Sequence, residues 1–170
     1  MTRRVLIAVV AVMVAVVSGC GSRTESTERA GANVFSVGQC VVIPSTAPDT
    51  LRANRGQCSA DPSYTVGAIA DGSGACPSNE YQHLPAQFAD PSTARLCLVP
   101  NLVAEHCYML DLPVGVVQRA ECTDRSQKGL LVQVTQRLDV RDQQACNSGV
   151  GQYAWPYPSP PRTYCTLTVF

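Results

Sequence analysis

Cysteine is unusually frequent in this 170-residue chain, which carries nine of them. Eight lie in the body of the chain, at Cys40, Cys58, Cys76, Cys97, Cys107, Cys122, Cys146 and Cys165. Thiolates bind zinc, exchange disulfides or pair with one another, and their spacing separates these uses. No C-x-x-C occurs, although structural zinc sites and thioredoxin-like redox sites depend on such close pairs. The pattern therefore predicts structural disulfides, with no metal site and no cofactor.

The residues for nucleophilic hydrolysis are sparse. The chain has two histidines, His83 and His106, and a Cys–His pair would need a thiol that is not in a disulfide. Ser73 lies in "DGSGA", residues 71–75, which lacks the G-x-S-x-G pattern of a nucleophile elbow and is typical of a turn. These residues predict no Ser- or Cys-dependent enzyme.

Carboxylates offer a further kind of chemistry, since two of them can act as acid and base on a glycan. The candidates are Asp61, Asp71, Glu80, Asp90, Asp111, Glu121 and Asp124. Their spacing selects no pair. Asp61 and Asp124 each closely follow a cysteine, where an aspartate usually forms a turn through its own side chain. The chain is predicted not to be an enzyme.

The stretch "GQYAWPYPSPPR", residues 151–162, is the best candidate for a partner-binding surface. Tyr153, Trp155 and Tyr157 alternate beside prolines, with Arg162 close by. Aromatic faces on a rigid loop stack on sugars or clamp a proline-rich partner. In the alternative interpretation, Trp155 packs into the core and the prolines only stiffen a loop.

The N-terminus has the features of an export signal. Arg3 and Arg4 precede an apolar run that is too short to span a bilayer comfortably. The run ends in "VSGC", which resembles a lipobox, and this motif implies that residues 1–19 are removed and that Cys20 is lipidated. The alternative is an ordinary signal peptide with an ordinary thiol at Cys20. With a lipid anchor, we expect the protein on the extracytoplasmic face of the cell membrane.

The segment that follows is polar and without apolar periodicity. Residues 20–36 are therefore predicted to be the lipidated cysteine and a flexible tether. Without residues 1–19 the chain has 11 basic and 13 acidic side chains, which gives no basic surplus to attract nucleic acid. Export also places the eight remaining cysteines in an oxidising compartment, where disulfides form.

Cysteine spacing divides the rest of the chain into two similar parts. The gaps are 18, 18 and 21 residues, then 10, then 15, 24 and 19. The surrounding sequence agrees, because "VGQCVVI" matches "AEHCYML" and "ARLCLVP" matches "RTYCTLTV" in position. We interpret this as an internal duplication, with repeat 1 at 37–100 and repeat 2 at 101–170.

Alternating apolar residues predict strands in each repeat. Leu130, Val132 and Val134 share one face, and Cys165, Leu167 and Val169 share another. Residues 77–86 and 140–147 are predicted to form short helices, and residues 156–162 a loop. The predicted fold class is α+β but β-rich. It consists of two tandem small disulfide-stapled repeats, mainly of antiparallel strands with short helices, each with little core of its own.

Counting alone leaves three pairings open for the four cysteines of each repeat. Consecutive pairing is our expectation, because the first and second cysteines flank one hairpin and the third and fourth join the helix to the last strand. The expected pairs are Cys40–Cys58, Cys76–Cys97, Cys107–Cys122 and Cys146–Cys165.

The lipobox, the polar tether and the duplicated cysteine frame together resemble the LppU-type lipoproteins of actinobacteria, including mycobacteria. The stretches that match best are "VGQCVVI", "QCSADPSYTVGAIADGSGACP" and "ARLCLVPN". Repeat 2 departs from the pattern, with "AEHC" in place of a glycine-containing start. The resemblance implies a location in the cell envelope and an architecture, and it carries no activity.

Three functions remain open from the sequence. The expected one is a non-catalytic module that binds an envelope protein or a cell-wall component. The second is a carrier of a lipid or other apolar ligand, which would need a cavity. The third is an enzyme acting on wall polymer, which the absence of a recognisable catalytic constellation disfavours.

Overall fold

The structure is a computed structural model that describes residues 35–44, 50–111, 115–124 and 129–170, with the Asp111 side chain excluded. The described residues belong to one compact unit, which begins at residue 31. The predicted signal segment, the lipidation site Cys20 and nearly all of the predicted tether lie outside the described residues.

In the part of the chain that the structure describes, ten strands form two antiparallel five-stranded sheets. The strands of sheet 1 are β1 (Cys40–Val42), β2 (Asn54–Arg55), β3 (Ser63–Ile69), β4 (Gln82–His83) and β5 (Leu96–Asn101). The strands of sheet 2 are β6 (Cys107–Asp111), β7 (Val116–Ala120), β8 (Leu130–Leu138), β9 (Gln152–Pro158) and β10 (Pro161–Thr168).

The two sheets have the same strand order. Sheet 1 runs β2-β1-β3-β5-β4 and sheet 2 runs β7-β6-β8-β10-β9, with antiparallel pairing between neighbours. Counted in chain order within each sheet, the third strand pairs with the first and the fifth, so the second and fourth strands lie at the edges.

The predicted helical content is too high. Where helices were expected, the chain forms the two-residue edge strand β4 and a single 3-10 turn at Gln143–Ala145; a second such turn lies at Thr93–Arg95. The first segment has prolines near both ends, and the second is tied to β10 by the Cys146 disulfide. Each segment therefore offers only a short stretch for a helix, and a short helix does not offset the cost of nucleation. In the part of the chain that the structure describes, no helix is both long enough and apolar enough to cross a membrane.

One hydrophobic core joins the two sheets. Val41, Val66 and Leu98 of sheet 1 lie in the same buried cluster as Val132 and Tyr164 of sheet 2, and all five are fully buried. The expectation of two small units with little core each is therefore wrong. Packing the sheets against each other lets each contribute its apolar face, which a single five-stranded sheet could not bury by itself.

The faces of the strands follow the prediction for β8 but not for β10. Val132 and Val134 enter the shared core, as the alternation indicates. In β10 the core residue is Tyr164, whereas Cys165 was expected on the apolar face. Neighbouring residues of a strand point to opposite faces, and Cys165 lies on the outer side, where its disulfide covers it.

All four disulfides join consecutive cysteines, which confirms the expected pairing. The bonds are Cys40–Cys58, Cys76–Cys97, Cys107–Cys122 and Cys146–Cys165, with Cα–Cα distances of 5.2, 5.7, 5.2 and 5.3 Å. Each sheet carries one bond from its first strand and one from its fifth strand. The bonds therefore occupy corresponding places in the two sheets.

Three buried tyrosine hydroxyls bond the backbone where the two sheets meet. The Val117 N–H of sheet 2 donates to Tyr64 of sheet 1 at 2.9 Å. The Tyr164 hydroxyl donates to the Pro100 carbonyl at 2.7 Å and accepts from the Leu102 N–H at 3.0 Å. The third hydroxyl, that of Tyr108, accepts from the Val103 N–H at 2.8 Å. Backbone groups that strand pairing leaves unpaired are satisfied in this way.

Candidate functional site

The aromatic stretch at 151–162 is a hairpin, although a loop was expected from its prolines. Strand β9 pairs with β10 in the register Trp155↔Tyr164, Pro156↔Thr163 and Pro158↔Pro161. Proline cannot donate to a ladder, and β9 tolerates it because this strand lies at the edge of the sheet. The hairpin places the aromatic side chains on a rigid element.

Exposure falls along β9 toward the hairpin turn. The Tyr153 residue is 55% exposed, Trp155 is half-buried and packs against the core, and Tyr157 is buried at 7%. The Tyr157 ring meets Tyr164 edge to face, with centroids 6.1 Å apart, and burial raises the pKa of Tyr157. Of the three predicted aromatic residues, Trp155 is both anchored in the core and accessible at the surface.

Arg162 is buried, at 8% exposed, and it holds the hairpin in place. Its Nη1 donates to the Pro100 carbonyl at 3.1 Å and to Asn101 Oδ1 at 2.6 Å. Its guanidinium also lies 5.9 Å from the centre of the Tyr164 ring. The nearest carboxylate to its Nε is that of Asp139, 3.9 Å away. The arginine that was expected beside a binding surface is therefore directed toward sheet 1.

An apolar cleft of about 270 Å³ opens beside Trp155 where the two sheets meet. Its lining residues are Glu80, Tyr81, Gln82, Leu110, Gly115, Val117, Trp155 and Tyr157. In sheet 1 they belong to edge strand β4 and to the two residues before it. In sheet 2 they belong to β6, to β7 and the residue before it, and to β9. The Gln82 amide donates to the Gly115 carbonyl across the cleft.

A polar cleft of about 680 Å³ adjoins the apolar one. Its lining residues are Glu80, Arg141, Asp142, Gln143, Gln144, Cys146, Ser148 and Pro156. Glu80 lines both clefts, and its carboxylate makes a two-point ion pair with Arg141, at 2.8 and 3.0 Å. The sequence pointed to Trp155 and included Glu80 among the candidate carboxylates. It did not place Glu80 beside Arg141, because 61 residues separate the two charges.

A polar cluster lies elsewhere at the junction of the sheets, around Asp61. The Asp61 carboxylate contacts His106 Nδ1 at 2.6 Å and Arg119 Nε at 3.3 Å, and it accepts from the Tyr108 hydroxyl. Burial and the bond to Asp61 raise the pKa of Tyr108. Arg119 also donates to two backbone carbonyls, at 2.9 and 2.6 Å. Because every side chain here bonds a neighbour, the cluster joins β6 and β7 to the segment before β3.

The remaining candidate residues lie in separate local structures. Asp71 accepts from Ser73 Oγ at 2.5 Å and from two backbone N–H groups, which confirms the predicted turn at 71–74 and lowers the pKa of Asp71. His83 Nε2 lies 2.6 Å from the Ala94 carbonyl. Asp90 bonds Ser92 and Thr93. Among the described residues, no group of three His, Cys, Asp or Glu side chains is placed to hold a metal ion.

Comparison with known proteins gives no relative on which to base a function. No protein-family model, curated protein or solved structure matches this chain. What the clefts bind is therefore inferred from their own chemistry.

Proposed function

We propose that this protein is a lipid-anchored component of the cell envelope and that it catalyses no reaction. It binds a partner at the apolar cleft beside Trp155 and the adjoining polar cleft, which together are called the Trp155 clefts. The anchor is Cys20, on the extracytoplasmic face of the membrane, and the protein is of the LppU type. The lipobox-like N-terminus and the number of disulfides support this location, since disulfides persist in oxidising compartments.

An internal duplication fits the architecture. The two sheets share one strand order, and each has disulfides at its first and fifth strands. The two copies have since become parts of one folding unit, because their apolar faces pack into a common core. The binding site lies at the junction of the copies, which neither copy could form alone.

The observation that carries the binding function is the pair of adjoining clefts around Trp155. Concave sites with an aromatic wall and a few fixed polar groups are the usual form of a binding site. The hairpin and the ion pair between Glu80 and Arg141 define its shape before any ligand is present. A preformed site keeps the ordering entropy of binding low.

A carrier of an apolar ligand is the second candidate, and the apolar cleft is the observation that favours it. Its volume of about 270 Å³ corresponds to roughly nine water-sized groups at ~30 Å³ each. That space suits a small apolar group better than a long acyl chain. Extraction of the purified protein with organic solvent, followed by mass spectrometry, distinguishes a carrier because a carrier retains its lipid.

Binding can be tested with the full chain carrying Cys20→Ala, incubated with isolated actinobacterial envelopes and then sedimented. We expect the protein to sediment with the envelopes, and Trp155→Ala to remove most of that retention. Incorporation of labelled palmitate into the native chain, but not into Cys20→Ala, checks the anchor. Equal retention of the Trp155 variant would contradict the proposed site, and steady release of soluble wall fragments would contradict a non-catalytic role.

A further inference from the structure

We propose that the two clefts bind a neutral N-acetylated hexosamine chain, with an acetamido methyl group in the apolar cleft and sugar hydroxyls in the polar cleft. This inference rests on the proposed function and names its ligand. It follows from three features of the site, namely its division into two parts, its charge and its rigidity.

The division into two clefts matches an amphiphilic ligand. Leu110, Val117 and Tyr157 line the apolar part, and the indole of Trp155 forms its wall. The face of an aromatic ring carries partial negative charge and favours contact with C–H groups. A pyranose ring presents C–H groups on its face, and the acetamido methyl adds a small apolar projection. The ring and its acetamido group together are of a size to enter a cleft of about 270 Å³.

The polar cleft suits a hydroxyl-rich ligand because it offers both donors and acceptors. Arg141 contributes N–H donors, Glu80 contributes carboxylate acceptors, and Gln144 contributes an amide that does both. A sugar hydroxyl is at once a donor and an acceptor, so it can bridge adjacent groups of these kinds. The polar part, at about 680 Å³, is larger than the apolar part. This favours a hydrophilic ligand over an apolar side chain inserted by a protein partner.

The charge of the site opposes an anionic ligand. Glu80 already neutralises Arg141 in the ion pair, and Asp142 adds a second carboxylate. Phosphate and uronic acid polymers need an unpaired cation, usually arginine or lysine. Among the residues lining the two clefts, the one basic side chain is Arg141. This arrangement therefore repels an anionic sugar and accepts a neutral one.

The backbone that carries the polar groups is fixed on both sides. The Asp142 N–H donates to Thr163 Oγ1 at 2.9 Å, and the Thr163 hydroxyl donates to the Val140 carbonyl at 2.7 Å. The disulfide of Cys146 to Cys165 ties the other end of the segment to β10. Sugars bind through many weak contacts, so a site that is ordered in advance loses less entropy on binding.

Trp155 is the sole tryptophan of the chain, so its fluorescence reports directly on this site. The full chain is titrated with short N-acetylglucosamine oligomers, with glucose oligomers of the same length, and with deacetylated oligomers at a pH that keeps their amines uncharged. We expect a saturable change in emission with the acetylated oligomers, and affinity at least ~4-fold lower for the other two, because burial of one methyl-sized group gives about that factor.

Two variants locate the binding by calorimetry. Arg141→Gln should lower the affinity for the acetylated oligomer at least ~10-fold, because it removes a charged hydrogen-bond donor. Arg137→Gln is the matched control, since it breaks a surface ion pair with Asp139 outside the clefts, and it should bind as the native chain does. Because Arg141 is exposed, its loss leaves the core intact even if Trp155→Ala fails to fold.

Absence of saturable binding, or equal binding of acetylated and deacetylated oligomers, would overturn the sugar assignment. If envelope retention still depends on Trp155 in that case, the binding function stands and its ligand is of another class. If retention is also independent of Trp155, both proposals fail.

Discussion

Replacing Tyr164 with phenylalanine tests how the two sheets are held together. The substitution keeps the ring in the shared core and removes only the hydroxyl. That oxygen accepts from the Leu102 N–H at 3.0 Å, donates to the Pro100 carbonyl at 2.7 Å and accepts from Arg162 Nη1 at 3.2 Å. The Tyr164 and Leu102 residues are fully buried, so water does not replace the lost bonds.

The expected loss is about 3 kcal/mol of unfolding free energy. Each intramolecular hydrogen bond contributes ~1 kcal/mol net, and a buried donor left without an acceptor costs ~1–3 kcal/mol. The Leu102 N–H loses its acceptor, whereas the Pro100 carbonyl keeps a bond from Arg162 Nη1 at 3.1 Å. A loss of this size is a substantial part of the ~5–15 kcal/mol that stabilises a typical domain.

Urea unfolding of the oxidised protein, followed by Trp155 fluorescence, measures this loss as a lower midpoint with an unchanged slope. Tyr153→Phe is the control, because that hydroxyl is on an exposed residue and its removal should change stability by less than ~0.5 kcal/mol. If Tyr164→Phe is no more destabilising than Tyr153→Phe, the tyrosine hydroxyls do not hold the sheets together. A changed slope would show instead that the sheets do not unfold as one unit.

Two further predictions concern the stability of the same junction. A Cβ on Gly67 would clash with the Ser159 carbonyl oxygen and with Tyr81 Cε1, so Gly67→Ala should destabilise by ~1–3 kcal/mol or more in urea unfolding. Gly72→Ala, with open space around it, is the control, and equal effects of the two would contradict the close approach of the hairpin to β3. Burial raises the pKa of Tyr64 from 10.0 to about 12. Tyr64 therefore stays protonated to a higher pH in the folded state than in the unfolded chain. Its contribution to the unfolding free energy is fully present below pH 10 and is lost as the pH rises toward 12. Over this range the unfolding free energy should fall by about 1.4 kcal/mol per pH unit for such a tyrosine. The fall should be less steep in Tyr64→Phe, and a stability that does not change with pH would refute the argument.

The disulfide framework followed from the sequence because pairing here is a local property. Each bond closes a loop of 15 to 21 residues, and each pair flanks a hairpin or joins a segment to its neighbouring strand. Alternation in β8 likewise predicted that Val132 and Val134 share the face that enters the core, since the period of a strand depends on its own backbone. In β10 the same rule chose the wrong face, because Tyr164 is large and amphipathic and its hydroxyl has a buried partner.

The sequence by itself determined the cysteine-stapled, β-rich character of the chain and correctly predicted the pairing of its cysteines. It did so because these properties depend on composition and on residues close in the chain. Only the tertiary structure decided that the two sheets share a core, that Arg162 is buried and that Glu80 lies beside Arg141. Those outcomes depend on contacts between residues about 60 positions apart, for which no local period or motif exists.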